Sequence, residues 1–453
     1  MLNFGEKNSC TVRMLVNYVR AAYYFYAMSR RAYWNREQLV KYQNDKVREI
    51  VKYAYENVPF YQEAFKKNQV KPSDIRTADD LSKIPILSKE DIKQNTSRIV
   101  SKQFETTHLK KVSTSGSTGE PLTIYLTGRE EELRKAKHLR ANVALGQKAR
   151  DRWVVITGPQ HFGETQGFQK WIGVYVPTSV SVFDDEATKV STIQRLKPDI
   201  LDGYSSSLFL LAKEVERMGV ETIKPRFIIG GSELIEDYQR RLVEKVFDAS
   251  FYDQYACVEL ERLAWQCKEK SGYHIDADSV VMEFVDENGD EVAPGEKGEV
   301  VCTSLFNYAM PLIRYSIGDV GVADEEECAC GRTLPLMKIV EGRKDSLIVL
   351  PTGGVVTPHV LCLHMESLKF FSSIDHYRII QKDANLIEID LKMKGDFDEE
   401  AVEKELAAHF GKVLNVGTDE LAFKVKLVDK IPLDKSGKLS TVVSELQRAT
   451  ARI

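Results

Sequence analysis

Four short stretches of this chain carry side chains whose types and spacing fit one chemistry. "YDQYACVE", residues 252–259, sets Tyr255, a flat stacking surface, four residues ahead of Glu259, a hard oxygen ligand suited to Mg²⁺. "RYSIGD", 314–319, ends in Asp319, an acid to which two ribose hydroxyls could donate together. "FIIGGSEL", 227–234, closes a β-prone run on Gly230-Gly231 ahead of Ser232, and glycines without Cβ atoms let a flat ring approach the backbone. "PLDKSGKLS", 432–440, carries Lys438 on a turn softened by Gly437. Each is weak alone, because Tyr, Asp and Lys in loops are more often structural or solvated.

A fifth stretch, "KKVSTSGSTGEPLTIYLT" at 110–127, sets hydroxyls and glycines between two extended runs. It is no P-loop: no Gly-Lys-Ser/Thr is present, and a strand rather than a helix follows Gly119. Such a hairpin loop can still wrap a polyphosphate. Gly116 and Gly119 let backbone N–H groups turn inward, while Ser115, Ser117 and Thr118 add donors without bulk. A solvated turn is the equal alternative.

The elements that must position these residues follow from the wider pattern. A chain of 453 residues can bury a large core and form two or more domains. Its 63 basic and 67 acidic residues leave a net charge of −4, which excludes an overall field for nucleic acid. Seven cysteines without regular spacing, and no cleavable signal, point to a reducing cytoplasm. The run "AAYYFYAM" at 21–28 is too short to span a bilayer and reads as a surface helix packed on the main body, with membrane association the lesser reading. Residues 1–100 read as a mostly helical lead. From about 110 to 325, "RWVVITG", "SVSVFD", "DILDGY" and "RFIIGG" alternate with helical runs, which implies an α/β fold with parallel-rich sheets covered by helices. Ligands are then expected beyond strand C-terminal ends. "SVVMEFVDENGDEVAPGEKGEVVCTSL" changes to alternating strands around Asn288-Gly289, as in an antiparallel β subdomain. The expected division is a large domain, 1–342, and a small α+β domain, 343–453, whose helix sets Val402, Leu406 and Phe410 on one face.

Cys267, His274, Cys328 and Cys330 offer thiolates and one imidazole suited to tetrahedral zinc. The pairs are far apart in sequence, so reduced cysteines without metal are the alternative.

In this order and with these gaps, the five motifs resemble the adenylate-forming superfamily of acyl-CoA synthetases and adenylation domains. The nearest branch is the phenylacetate–CoA ligase and coenzyme F390 synthetase-like one, which includes proteins associated with capsule synthesis. The resemblance runs from "ENVPFYQ" to "SGKLS". It implies a two-step reaction: a small carboxylic acid attacks the α-phosphate of ATP, and a second nucleophile, commonly CoA, takes the acyl group and releases AMP. It assigns 113–119 to the ATP β- and γ-phosphates, Glu259 to Mg²⁺, Asp319 to the ribose, and Tyr255 and Gly231, with Ser232, to the adenine. Lys438 matches the catalytic lysine, Arg343 the arginine after the hinge, and Asp345 the hinge of a mobile C-terminal lid domain. The F390-like branch shows a similar Cys/His pattern, implying a structural zinc. Ala256 and Val258 depart from the usual Gly and Ser/Thr, so nucleotidyl transfer to a hydroxyl, or an inactive nucleotide-binding partner in polysaccharide synthesis, stays open. The acyl pocket is expected near 157–167 and 202–207, with His161, Phe162, Tyr204 and Trp171 as candidates. The motifs identify neither the acid nor its acceptor (CoA, an amine or a hydroxyl), and leave a homodimer open.

Overall fold

The computed structural model describes residues 4–114, 121–159, 162, 167–343, 346–417, 420–435 and 437–446. Helices Phe4–Arg31, Arg36–Asn57 and Pro59–Lys67 lead the chain. Asn35 starts the second with a capping box to Gln38. Within the first, Tyr24 and Met28 are buried against Leu133 and Ala136, while Tyr23 and Tyr26 stay exposed. No helix among the described residues is long and apolar enough to cross a membrane.

A two-stranded hairpin, β1 (Lys110–Ser113) and β2 (Thr123–Leu126), flanks the hydroxyl-rich loop. The main sheet follows. Strands β3 (Trp153–Thr157), β4 (Pro177–Ser181), β5 (Ile200–Tyr204), β6 (Phe227–Gly231) and β7 (Ser250–Cys257) are mutually parallel in the order β4-β3-β5-β6-β7. Apolar runs with helical crossovers give this half, because both faces of a parallel sheet are covered.

The antiparallel strands extend the same sheet rather than standing apart from it. They are β8 (Glu261–Gln266), β9 (Tyr273–Ile275), β10 (Val280–Val285), β11 (Lys297–Ser304), β12 (Tyr315–Asp324) and β13 (Leu336–Arg343). The full order of the 11 strands is β10-β11-β12-β13-β9-β8-β7-β6-β5-β3-β4. Asn288-Gly289 does not directly join β10 to β11. Asp286 accepts from the backbone of Asn288 and Asp290 to make a small turn, and Pro294-Gly295 makes the next one.

Helix Gly128–Leu145 covers one sheet face and buries an unusual share of charge, including Glu130, Glu132, Arg134, Lys137 and Arg140. Arg140 meets Asp276 and Asp278, and Arg262 meets Asp276 through two nitrogens, at 3.1 and 2.9 Å. Pairing of this kind is what makes buried charge tolerable.

Past β13, residues from 348 onward build a separate core. The pair β14 (Ile348–Val349) and β15 (Val355–Val356) precedes β16 (Ile374–Asp383), β17 (Leu386–Met393), β18 (Ala422–Leu427) and β19 (Val442–Ser444), ordered β18-β17-β16-β19. Val402, Leu406 and Phe410 of helix Glu399–Leu414 fill its centre. This lobe rests on the large one through Lys213, which donates to Asp375, and through the stacked rings of Phe209 and His376, 5.8 Å apart. Tyr238 and Phe371 add an edge contact at 5.0 Å.

Candidate functional site

Tyr204, Gly231 and Tyr255 stand at or near the C-terminal ends of β5, β6 and β7, along one edge of the parallel half. Asp319 comes from β12, with β13, β9 and β8 lying between it and β7. In a flat sheet that separation is about 19 Å. Yet the Tyr255 hydroxyl donates to Asp319 Oδ2 at 2.7 Å, so the sheet curls sharply. Register shifts within the β11–β12 and β12–β13 ladders supply the bend. Burial and the Asp319 carboxylate push the Tyr255 phenol well above its ordinary range, which keeps it a donor.

The Gly-Gly pair has an internal use. A Cβ on Gly230 would fall 1.9 Å from the Phe251 ring, so the flat ring seated there is the protein's own. Gly231 is half-buried, and Ser232 beyond it takes a left-handed φ of 68°, a conformation that non-glycine residues adopt at a cost. The Ser232 carbonyl accepts from Lys438 Nζ at 3.1 Å, and the same ammonium lies 5.3 Å from the centre of the Tyr204 ring. The C-terminal lobe therefore delivers its lysine to the edge where Gly231 and Tyr255 end. Two further features fix that delivery. The Leu439 N–H donates to Glu233 Oε1 at 2.9 Å, and Glu233 Oε2 accepts from the Ser206 hydroxyl at 2.6 Å. At Gly437, φ is +84° and a Cβ would meet Val182 of the large lobe at 2.2 Å, so only glycine fits.

Glu259 is buried just after β7, with Oε1 accepting from the Tyr315 hydroxyl at 2.8 Å. Two cations from helix Gly128–Leu145 hold the backbone on either side: Arg134 donates to the Val258 carbonyl, and Lys137 donates to the Leu260 carbonyl at 3.3 Å. Arg134 also pairs with Glu261 at 3.3 Å. Burial holds the Lys137 ammonium down to about 8. Position 258 lacks a hydroxyl, and these cations anchor the loop through its carbonyls instead. One carboxylate fits Mg²⁺, which is commonly held by one or two carboxylates together with substrate phosphates.

The second cluster is compact. Cys267 Sγ and Cys328 Sγ are 3.5 Å apart, Cys330 Sγ and His274 Nε2 are 3.3 Å apart, and all four donor atoms lie within 4.8 Å of one another. Cys257 is not among them. Burial holds the His274 imidazole down to about 4, neutral and able to ligate, and pushes the Cys267 thiol up to about 12. Three thiolates and an imidazole at such spacing fit zinc. The cluster sits where β13 meets β9 through only two residue pairs, Leu336 with His274 and Met337 with Tyr273.

Other expected residues are placed differently. Ser115, Gly116, Ser117, Thr118, Gly119, His161 and Asp345 lie outside the described residues. The loop's flanks are set: Thr114 and Leu122 are bonded to each other, and Leu122 and Ile124 share a core with Tyr255 and Tyr315. Arg343 is the Cα partner of Asp319, with its side chain outside the described set. Phe162 and Trp171 are exposed, 41% and 80%, so neither is enclosed in a pocket. Sequence reasoning missed Arg134, Lys137 and Glu233, whose partners lie on distant segments.

A sequence family described as "CapK C-terminal domain" matches residues 348–445. Phenylacetate-coenzyme A ligase of Thermus thermophilus is 26% identical over 377 residues, covering 79% of this chain and 82% of that protein. Protein CapK of Staphylococcus aureus is 25% identical over 425 residues, 90% of each chain. The chain is thus similar in sequence to phenylacetate–CoA ligases and to CapK. Its fold is that of the adenylate-forming ligases. The structure of 2-hydroxyisobutyryl-CoA ligase in its postadenylation state with 2-HIB-AMP aligns at a TM-score of 0.77 and 18% identity, covering 93% of both chains. The same ligase in its thioesterification state with CoA aligns at only 0.62.

Proposed function

We propose that this chain is an ATP-dependent, AMP-forming carboxylic acid ligase that makes an acyl-adenylate and passes the acyl group to CoA. The observation that carries the reading is Lys438 of the C-terminal lobe docked on the Ser232 carbonyl beside Gly231, at the same edge as the bonded pair Tyr255–Asp319. Lysine, ribose acid and adenine platform then serve one nucleotide held in the large lobe. Asp319 accepts from the ribose hydroxyls, Gly231, Ser232 and Tyr255 border the adenine, and the 115–119 loop with Arg343 completes the nucleotide site. Glu259 holds Mg²⁺, which neutralises charge on the phosphates when bound. Lys438 bridges the carboxylate and the α-phosphate, where charge develops in the transition state. Residues 1–342 form the binding domain and 343–453 a lid whose rotation exchanges the lysine face for the acceptor path. The proposed use of ATP and CoA, with cysteines that form no disulfide among the described residues, supports a cytoplasmic location.

Neither the family matched over 348–445 nor the relative CapK is named as a CoA ligase, which leaves room for a second reading in which an amine or hydroxyl replaces CoA as acceptor. Release of AMP across a panel of carboxylic acids, with and without CoA, separates the two. CoA-dependent release supports the ligase. Release that needs an acid but ignores CoA supports the alternative acceptor, and release without any acid contradicts both.

The carbonyl anchors at Glu259 yield a further expectation. Arg134→Met should raise the KM for Mg·ATP about tenfold by freeing that loop, since it removes the hydrogen bond to the Val258 carbonyl and the ion pair with Glu261. The KM for the acid should stay near its original value. Equal changes in both constants in steady-state kinetics would assign Arg134 to general stability instead.

A further inference from the structure

Toward the strand C-terminal ends, the side chains between helix Gly128–Leu145 and the parallel strands include polar groups where an aryl or alkyl acid would need apolar ones. At one end the space is sealed by Leu145, Trp153, Ile200, Phe227 and Ile229. Toward the strand C-terminal ends it opens. Asp202 lies on β5 between β3 and β6, and such a central residue under a covering helix is ordinarily shut in; here Asp202 and its Cα partner Val155 both keep solvent-reachable surface. Gly231, at the mouth, does so too.

The groups around that space are donors and acceptors. Asp202 Oδ2 accepts from the Trp153 indole N–H at 3.1 Å, and the His138 ring is stacked on Trp153 at 5.6 Å. One helical turn on, Asn142 is fully buried; its Oδ1 accepts from Gln254 Nε2 at 3.0 Å, and its Nδ2 has no partner. Gln254 is the Cα partner of Gly231, which ties this polar row to the edge where Lys438 docks. The buried Asn142 amide donor without a partner costs free energy that a hydrogen-bonding ligand recovers, and Asp202, a half-buried carboxylate held by the Trp153 indole, has acceptor capacity beyond that bond.

Resting on the ligase reading above, we infer that the acid substrate is a polar one, carrying an ammonium or hydroxyl donor that seats on Asp202 while its carboxylate points to Lys438. A site built around buried polar groups rejects an analogue lacking the matching group, because those groups are then left unpaired.

The test uses the full chain with a non-hydrolysable ATP analogue and calorimetric titration of shape-matched acids. One set compares ω-amino- and ω-hydroxypentanoate with hexanoate, and another compares para-amino- with para-methylphenylacetate. Donor-bearing acids should bind about 100-fold tighter. Asp202→Asn should reduce the advantage of the amines more than that of the hydroxy acid, and Asp202→Leu should remove both. Melting curves confirm that the variants fold. Equal or tighter binding of the apolar acids, binding of no acid at all, or an unchanged preference in folded Asp202→Leu overturns the inference. Binding with the expected preference but without AMP release leaves it standing and defeats the ligase reading alone.

Discussion

Lys438→Ala is expected to slow acyl-adenylate formation about a thousandfold, roughly 4 kcal/mol of transition-state stabilisation. The figure follows from what the side chain does and does not hold. Its ammonium reaches the Ser232 carbonyl and the Tyr204 ring, at the edge assigned to the α-phosphate. Docking of the lobe does not depend on it. The Leu439 N–H on Glu233, Lys213 on Asp375 and the Phe209–His376 stack all survive the change. The loss should therefore fall on chemistry, with ATP affinity nearly intact. Lys438→Arg should rescue little, since a planar fork does not replace a compact point charge. Thioester formation from a supplied acyl-adenylate should proceed near the original rate, because the proposed lid rotation turns the lysine face away before that step. Pre-steady-state measurement of the two half-reactions checks this. Equal slowing of both would assign Lys438 to lobe docking instead.

Zinc removal is expected to have the second large effect, on stability. Two residue pairs are a slender join between β13 and β9, and the four ligands come from both partners' segments, Cys267 and His274 before and on β9, Cys328 and Cys330 before β13. Gly272 shows how tight the seam is: a Cβ there would come 2.9 Å from the Met337 carbonyl oxygen. A metal with four protein ligands and no open position acts as a staple, and its binding free energy becomes folding free energy. The purified protein should carry one zinc per chain, and the Cys328→Ser, Cys330→Ser double variant none. The variant should melt about 10 °C lower. Acid should release the metal as thiolates reprotonate, since the folded Cys267 thiol already favours its proton. Native protein without zinc, melting unchanged in a strong chelator, contradicts the site.

The parallel half of the fold was legible because each strand is a short apolar run closed by a turn and followed by a helix. The helical lead and the C-terminal helix face were legible for the same reason, since the periodicity of apolar residues survives in a single sequence. Helix Gly128–Leu145 was not. Its Arg134, Lys137 and Arg140 are buried against carboxylates and carbonyls more than a hundred residues away. Nothing local marks such pairing. Asn288-Gly289 misled in the opposite sense: the dipeptide makes a turn, but the Asp286 side chain turns it inside a longer loop. Gly230-Gly231 was read as room for a ligand, and half of that room belongs to Phe251. Tyr255, Asp319 and Lys438 were visible as residue types in motifs. Their meeting was not, because it depends on how far the sheet curls and where the second lobe rests.

Exchange of labelled pyrophosphate into ATP tests the central claim most directly. It reports formation of the acyl-adenylate without reference to the acceptor. The account predicts exchange that requires both a carboxylic acid and Mg²⁺ and is lost in Lys438→Ala. Exchange at the same rate with no acid present, or undiminished exchange in that variant, would contradict it.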